Sequence, residues 1–249
     1  MFAVTGVALV VVCLAGITPS GITPIKAQAV SQEKIDPAQI IRQAAENGRI
    51  ALSALAGYSY TAEVAVQYAG AGDVVLWEYN RSTKVFYDRY GALSERLIEE
   101  KSTLPKDESI NVGQVNNLVR IYKFMLTPSV LQQYDFNYIG RERIDELQTL
   151  VFDLKPKRVG PASFGEARRY VRGRIWIDED DLQVVKVGGE ILPETRPHRT
   201  PRFETYFQNY DKYWLPAYTT ADDDLMIDKD YLRVNVKARF IDYAPHKQS

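Results

Sequence analysis

The 249-residue chain is poor in the residues that most often carry covalent or metal chemistry: it has one cysteine, two histidines and three methionines. Cys13 lies inside an N-terminal apolar run behind Val12, where a lipidation signal needs a small residue, so it is not read as a lipid anchor. Without that segment no cysteine remains, which excludes a disulfide framework, a thiolate metal site and a cysteine nucleophile. His198 sits among prolines and His246 near the C-terminus, neither beside a carboxylate at metal-ligand spacing. HExxH, GxSxG and GxxxxGK[ST] patterns are missing, so nothing in the sequence points to zinc, serine-histidine or nucleotide chemistry. No cofactor and no metal are expected. Charge of one sign is lacking too: 31 Lys and Arg face 32 Asp and Glu, and no basic stripe interleaved with aromatics suggests nucleic acid. The acidic runs 178–181 and 222–224 lack the ligand spacing and central glycine of an EF-hand and read as solvated turns between strands. No strand end offers paired carboxylates with flanking sugar-stacking aromatics, so a periplasmic hydrolase using carboxylates is the minor alternative to a binding protein.

The segment 1–29 reads as a signal peptide: residues 2–16 are almost wholly apolar, Pro19, Gly21 and Pro24 follow, and Ala27-Gln28-Ala29 offers a cleavage site. Cleavage after Ala29 and a periplasmic address are expected, with an N-terminally membrane-anchored form as the alternative, because no Lys or Arg precedes the apolar run. The run is shorter than the roughly 20 apolar residues that a span requires. Residues 30–35 read as a flexible leader, 36–244 as a single domain and 245–249 as a polar tail.

Within the domain, Asp36-Pro37 is an N-cap and first-turn proline for a helix with an apolar stripe from Ile40 to Leu55, ended near Gly57. Alternation then begins, with Tyr58, Tyr60, Ala62, Val64, Val66 and Tyr68 on one face. Strands are expected at 74–80 and 84–90 around a connection at Arg81-Ser82, and at 93–99. Residues 112–126 carry Val115, Leu118, Val119, Tyr122 and Met125 at helical spacing, stopped by Thr127-Pro128. From Tyr134 the β pattern returns at 134–139, 147–154, 170–177, 183–191, 203–209, 214–220 and 231–243. About ten or eleven strands joined by short turns favour sequential antiparallel pairing, although closure into a barrel is not decided by alternation. The segment 192–201 holds Pro193, Pro197 and Pro201, with Arg196, His198 and Arg199 between them and Arg202 after; it reads as an exposed lid, a partner loop or a plain crossover.

The order of a strand ending Leu154-Lys155-Pro156-Lys157, then Gly173-Arg174-Ile175-Trp176-Ile177-Asp178, an acidic turn and Val184-Val185-Lys186-Val187 resembles the LolA/LolB and RseB-like superfamily of bacterial envelope proteins. The resemblance spans most of residues 40–243 as an order of elements. It implies an α+β, mainly β fold: a strongly curved antiparallel sheet, open or half-barrel, with helices covering its concave face. It also implies a non-enzymatic periplasmic carrier of a lipid or lipoprotein acyl chain, or a sensor that docks an envelope membrane protein. Each methylene kept from water contributes about 0.8 kcal/mol, so such a carrier needs a dry pocket. The expected lining is Val64, Val66, Trp77, Tyr79, Phe86, Val115, Leu118, Val119, Tyr122, Met125, Phe152, Ile175, Trp176 and Ile177. Arg172 and Arg174 are the candidates for a lid-controlling arginine.

Overall fold

The computed structural model describes residues 36–88, 90, 92–104, 123–160, 169–193, 200–227 and 230–246, all within one compact unit, Ile35–Ser249. Strand accounts for 64% of them and helix for 15%, which makes the fold mainly β.

The helix α1 (Pro37–Leu55) begins as its sequence dictates: the Asp36 side chain accepts from the Ala38 N–H at 3.0 Å and Pro37 occupies the first turn. Its apolar stripe buries Ile41, Ala44, Ala45, Ala51 and Leu55. Gly48 faces the backbone carbonyl of Leu126 so closely that a β-carbon there would collide with it. Only glycine permits that approach. The segment 123–127 is not helical, so Met125 lies in irregular chain and not on a helix running to residue 126; a single turn, α2 (Pro128–Leu131), follows it. Residues 105–122, with Val115, Leu118, Val119 and Tyr122, lie outside the described residues, as do 194–199 with Arg196, His198 and Arg199.

The ten strands are β1 (Tyr58–Ala69), β2 (Val75–Tyr87), β3 (Leu93–Ser102), β4 (Tyr134–Ile144), β5 (Leu147–Pro156), β6 (Tyr170–Asp178), β7 (Val184–Leu192), β8 (Phe203–Tyr210), β9 (Tyr213–Ile227) and β10 (Asp230–Pro245). They form one sheet in the order β3-β2-β1-β10-β9-β8-β7-β6-β5-β4, antiparallel throughout. Two hairpin-connected series therefore meet at the β1–β10 pair, and β3 and β4 are left as edges. The sheet is open and curved, which decides against a closed barrel.

Three sequence expectations change. No turn exists at Arg81-Ser82: β2 runs unbroken through both residues, pairing Arg81 with Val64 on one side and Glu100 on the other. The run Asp222–Asp224 lies in mid-strand in β9, where Asp222 accepts two hydrogen bonds from the Arg233 guanidinium at 2.9 and 2.8 Å. The turn after β6 is more than solvated punctuation. Asp178 is buried, and its carboxylate accepts from the Asp181 N–H at 3.3 Å. Desolvation and the neighbouring Asp181 push the Asp178 carboxyl above the usual carboxylate range. Asn47 of α1 donates to the Asp181 and Leu182 carbonyls at 3.1 Å each, pinning the helix to this turn.

Candidate functional site

Strand periodicity separates two faces. The face that packs with α1 carries the main core: Tyr60, Val64 and Val66 of β1, Tyr79 and Val85 of β2, Phe152 of β5, Ile175 and Ile177 of β6, Val187 of β7 and Phe240 of β10. Register confirms the shared side, since Val66 pairs with Tyr79 and Val236, and Phe152 with Ile175. Trp77 joins this face, its ring 6.3 Å from that of Tyr68, and Met125 packs against the same core.

Phe86 and Trp176 do not belong to it. Phe86 follows Val85 in strand alternation, so it points to the outer face, where its ring lies 5.2 Å from His246. Trp176 likewise lies between the inward Ile175 and Ile177; it packs outside with Val151 and Val185 and donates from Nε1 to Glu142 at 2.9 Å. An all-apolar run Ile-Trp-Ile gives no alternation from which to tell the two sides. Lys186 stacks between Trp176 and Tyr206, its Nζ 4.6 and 5.0 Å from the ring centroids, and pairs with Glu204 at 2.8 Å. These contacts account for the burial of an amphipathic side chain on a second, smaller apolar patch.

The inner face holds polar groups that its apolar surroundings would not predict. Arg81 stands on it beside Val64. Its side chain is 19% exposed, its guanidinium reaches Glu95 at 3.5 Å, and its Nε is enclosed with no hydrogen-bond partner among the described residues. The Tyr79 hydroxyl donates to Glu100 at 2.8 Å, and burial, reinforced by that bond, pushes the phenol up to about 12. Lys123 supplies a second cation, with Nζ donating to the Tyr60 hydroxyl at 3.0 Å and lying 5.4 and 5.2 Å from the ring centroids of Tyr60 and Phe240. Toward the β3 edge the covering gives out: Leu93, across from Tyr87, is 37% exposed and Leu97, across from Thr83, is 51% exposed. The arrangement is an apolar wall, two cations near it and an apolar approach from a free edge.

Neither Arg81 nor Lys123 was singled out by the sequence. Reading period two through Trp77, Tyr79, Arg81, Thr83 and Val85 would have placed Arg81 on the wet-looking but buried row. Arg172 and Arg174 alternate with Val171, Gly173 and Ile175 and face outward, away from the main core, so neither is a lid residue on the inner side. Arg202 is exposed next to them. Among the described residues no group of three or more His, Cys, Asp or Glu is placed to hold a metal ion. No described helix is long and apolar enough to cross a membrane.

No protein-family model matches the chain, and no curated protein matches it. Solved structures do. A DUF1329 family protein from Desulfovibrio piger aligns over 85% of this chain and 94% of its own at 10% identity and a TM-score of 0.42. A LolA superfamily protein from Nitrosomonas europaea aligns over 86% and 96% at 10% identity and a TM-score of 0.36. A putative outer membrane lipoprotein-sorting protein domain from Vibrio parahaemolyticus aligns over 84% and 94% at 13% identity and a TM-score of 0.38.

Proposed function

We propose that the chain is an exported, periplasmic, non-enzymatic binding protein that holds an acyl chain of a lipid or lipoprotein against the inner face of its open sheet. The observation that carries this reading is the Nε of Arg81, which has no hydrogen-bond partner among the described residues. A buried donor left without an acceptor costs about 1–3 kcal/mol, so its retention in an apolar wall is accounted for when a ligand oxygen completes it. An amphiphile with an acyl tail and an oxygen-bearing head fits both halves of the site. The tail lies along Val64, Val66, Tyr79 and Trp77, while the head meets Arg81. The exposed Leu93 and Leu97 give the tail an apolar way in from the β3 edge. Val115, Leu118, Val119 and Tyr122 are proposed to complete the lining, and Arg196, His198 and Arg199 to belong to a lid or partner loop.

Displacement of a fluorescent fatty acid from the purified mature protein tests the reading. A long-chain fatty acid is expected to displace the probe at least tenfold better than the alcohol of equal length, and Arg81→Met to abolish that preference. Failure of the probe to bind, with no lipid in an organic extract of the protein, would remove the proposal. A stable complex with a membrane regulator, dependent on bound lipid, would favour a sensor over a carrier.

A further inference from the structure

On the face opposite the apolar wall, strands β5 to β7 and the lead into β8 carry a surface groove of about 400 Å³ that the acyl-binding reading does not use. Its charged rim is Lys155, Arg172, Arg174 and Arg202 against Asp153 and Glu190. Alternation places Arg172 and Arg174 on the same side of β6, two residues and about 7 Å apart. Their register partners differ. Arg172 is opposite Glu190 and binds it through Nε at 2.6 Å, whereas Arg174 is opposite Gly188 and reaches back to Asp153 at 3.4 Å. The floor is set by Gly173 and Gly189, paired across β6 and β7 so closely that a β-carbon on either would strike the facing backbone. The backbone at this pair leaves no room for a side chain, and the walls of the groove are the exposed side chains of Arg172, Arg174 and Arg202.

The charge is unbalanced. Lys155 and Arg202 make no ion pair among the described residues, although Asp135 lies across from Lys155 in the register outside the groove lining. Exposed Lys157 and Arg158, just beyond β5, add further positive charge at this end of the sheet. Two surplus cations in the lining match a doubly charged oxyanion. Each guanidinium here uses Nε for its carboxylate, and its remaining N–H groups are arranged in a planar fork suited to phosphate oxygens.

We infer that this groove is a second binding site, for a phosphate-bearing group held between Arg172, Arg174, Lys155 and Arg202. The groove is open to solvent, so a phosphate held there can carry a substituent that extends outward. The site is separate from Arg81 and stands whether or not an acyl chain occupies the inner face.

The test uses the mature chain and the double variant Lys155→Gln/Arg202→Gln, which breaks no ion pair seen in the described residues. Glycerol phosphate is titrated calorimetrically at low salt. Vesicle flotation compares phosphatidylcholine alone with phosphatidylcholine containing phosphatidic acid. The unmodified protein is expected to bind one or both phosphate sources, the double variant at least tenfold more weakly, and Asp153→Asn several-fold more tightly. Binding to glycerol phosphate identifies a soluble phosphoester ligand, and binding to phosphatidic acid vesicles alone identifies a lipid headgroup. Absence of binding in both arms, or equal binding by the double variant with its fold intact by circular dichroism, overturns the assignment.

Discussion

Replacing Arg81 by methionine should leave the empty protein as stable as before or more so, an unusual outcome for a side chain only 19% exposed. Three contributions decide the sign. Removing the enclosed, unpartnered Nε relieves about 1–3 kcal/mol of unmet desolvation. Losing the pair with Glu95, long at 3.5 Å and 28% exposed on the carboxylate side, removes about 0–1 kcal/mol. Methionine keeps the aliphatic reach of arginine, so packing against Val64 and Tyr79 changes little. The balance is a gain between about 0 and 3 kcal/mol. Urea unfolding followed by far-ultraviolet circular dichroism measures it, with Glu95→Gln added to the variant to separate any penalty from the carboxylate left behind. A loss above 2 kcal/mol in both the single and the double variant would refute the reasoning, because Arg81 would then be a structural tie and not a group kept for a ligand.

Gly48→Ala should destabilise by at least about 1–3 kcal/mol, since the new methyl meets the Leu126 carbonyl, a backbone atom unable to swing away; chemical denaturation checks it, with Gly57→Ala, whose new methyl would have only a 3.3 Å contact, as the comparison. Alkaline pH should unfold the protein cooperatively. Burial pushes the Tyr68 phenol up to about 12, and burial with the Glu100 bond does the same for Tyr79. Both folded values lie above the unfolded one near 10, so their stabilising share is intact below pH 10 and falls by about 1.4 kcal/mol per group per pH unit from there toward 12. Phenolate absorbance should rise in step with loss of strand signal, and noncooperative ionisation of all tyrosines near pH 10 with the sheet intact would contradict this.

The alternation of Tyr60, Ala62, Val64 and Val66 was enough to read β1 and its dry face, and Asp36-Pro37 enough to start α1. The approximate strand number and the antiparallel pairing were also legible, but the pairing of β1 with β10, which leaves β3 and β4 apart, was not. What misled was a polar stretch inside a strand. Asn80, Arg81, Ser82 and Thr83 have the composition of a turn, yet β1 and β3 pair with them on both sides and hold them extended. Local propensity loses there to tertiary pairing, and a place where the two disagree is where a functional group is expected. Trp176 and Phe86 were misplaced for a different reason: both faces of the sheet bury apolar groups, so hydrophobicity alone cannot orient a strand. The groove on the outer face draws Lys155, Arg172 and Arg202 from three segments, β5, β6 and the lead into β8. Only the register reveals them as neighbours.

The junction of β1 with β10 has a consequence for how the protein is made. Tyr58 meets Pro245, so the first strand of the sheet waits for the last one to be synthesised. Until then β1, β2 and β3 form a three-stranded piece with an unsatisfied border at β1, and the later strands have another at β9. Long-range contacts of this kind form slowly, and an exposed border can recruit other chains. A chain interrupted before Asp230 would lose more than a peripheral strand: it would lose the seam that makes two sheets into one.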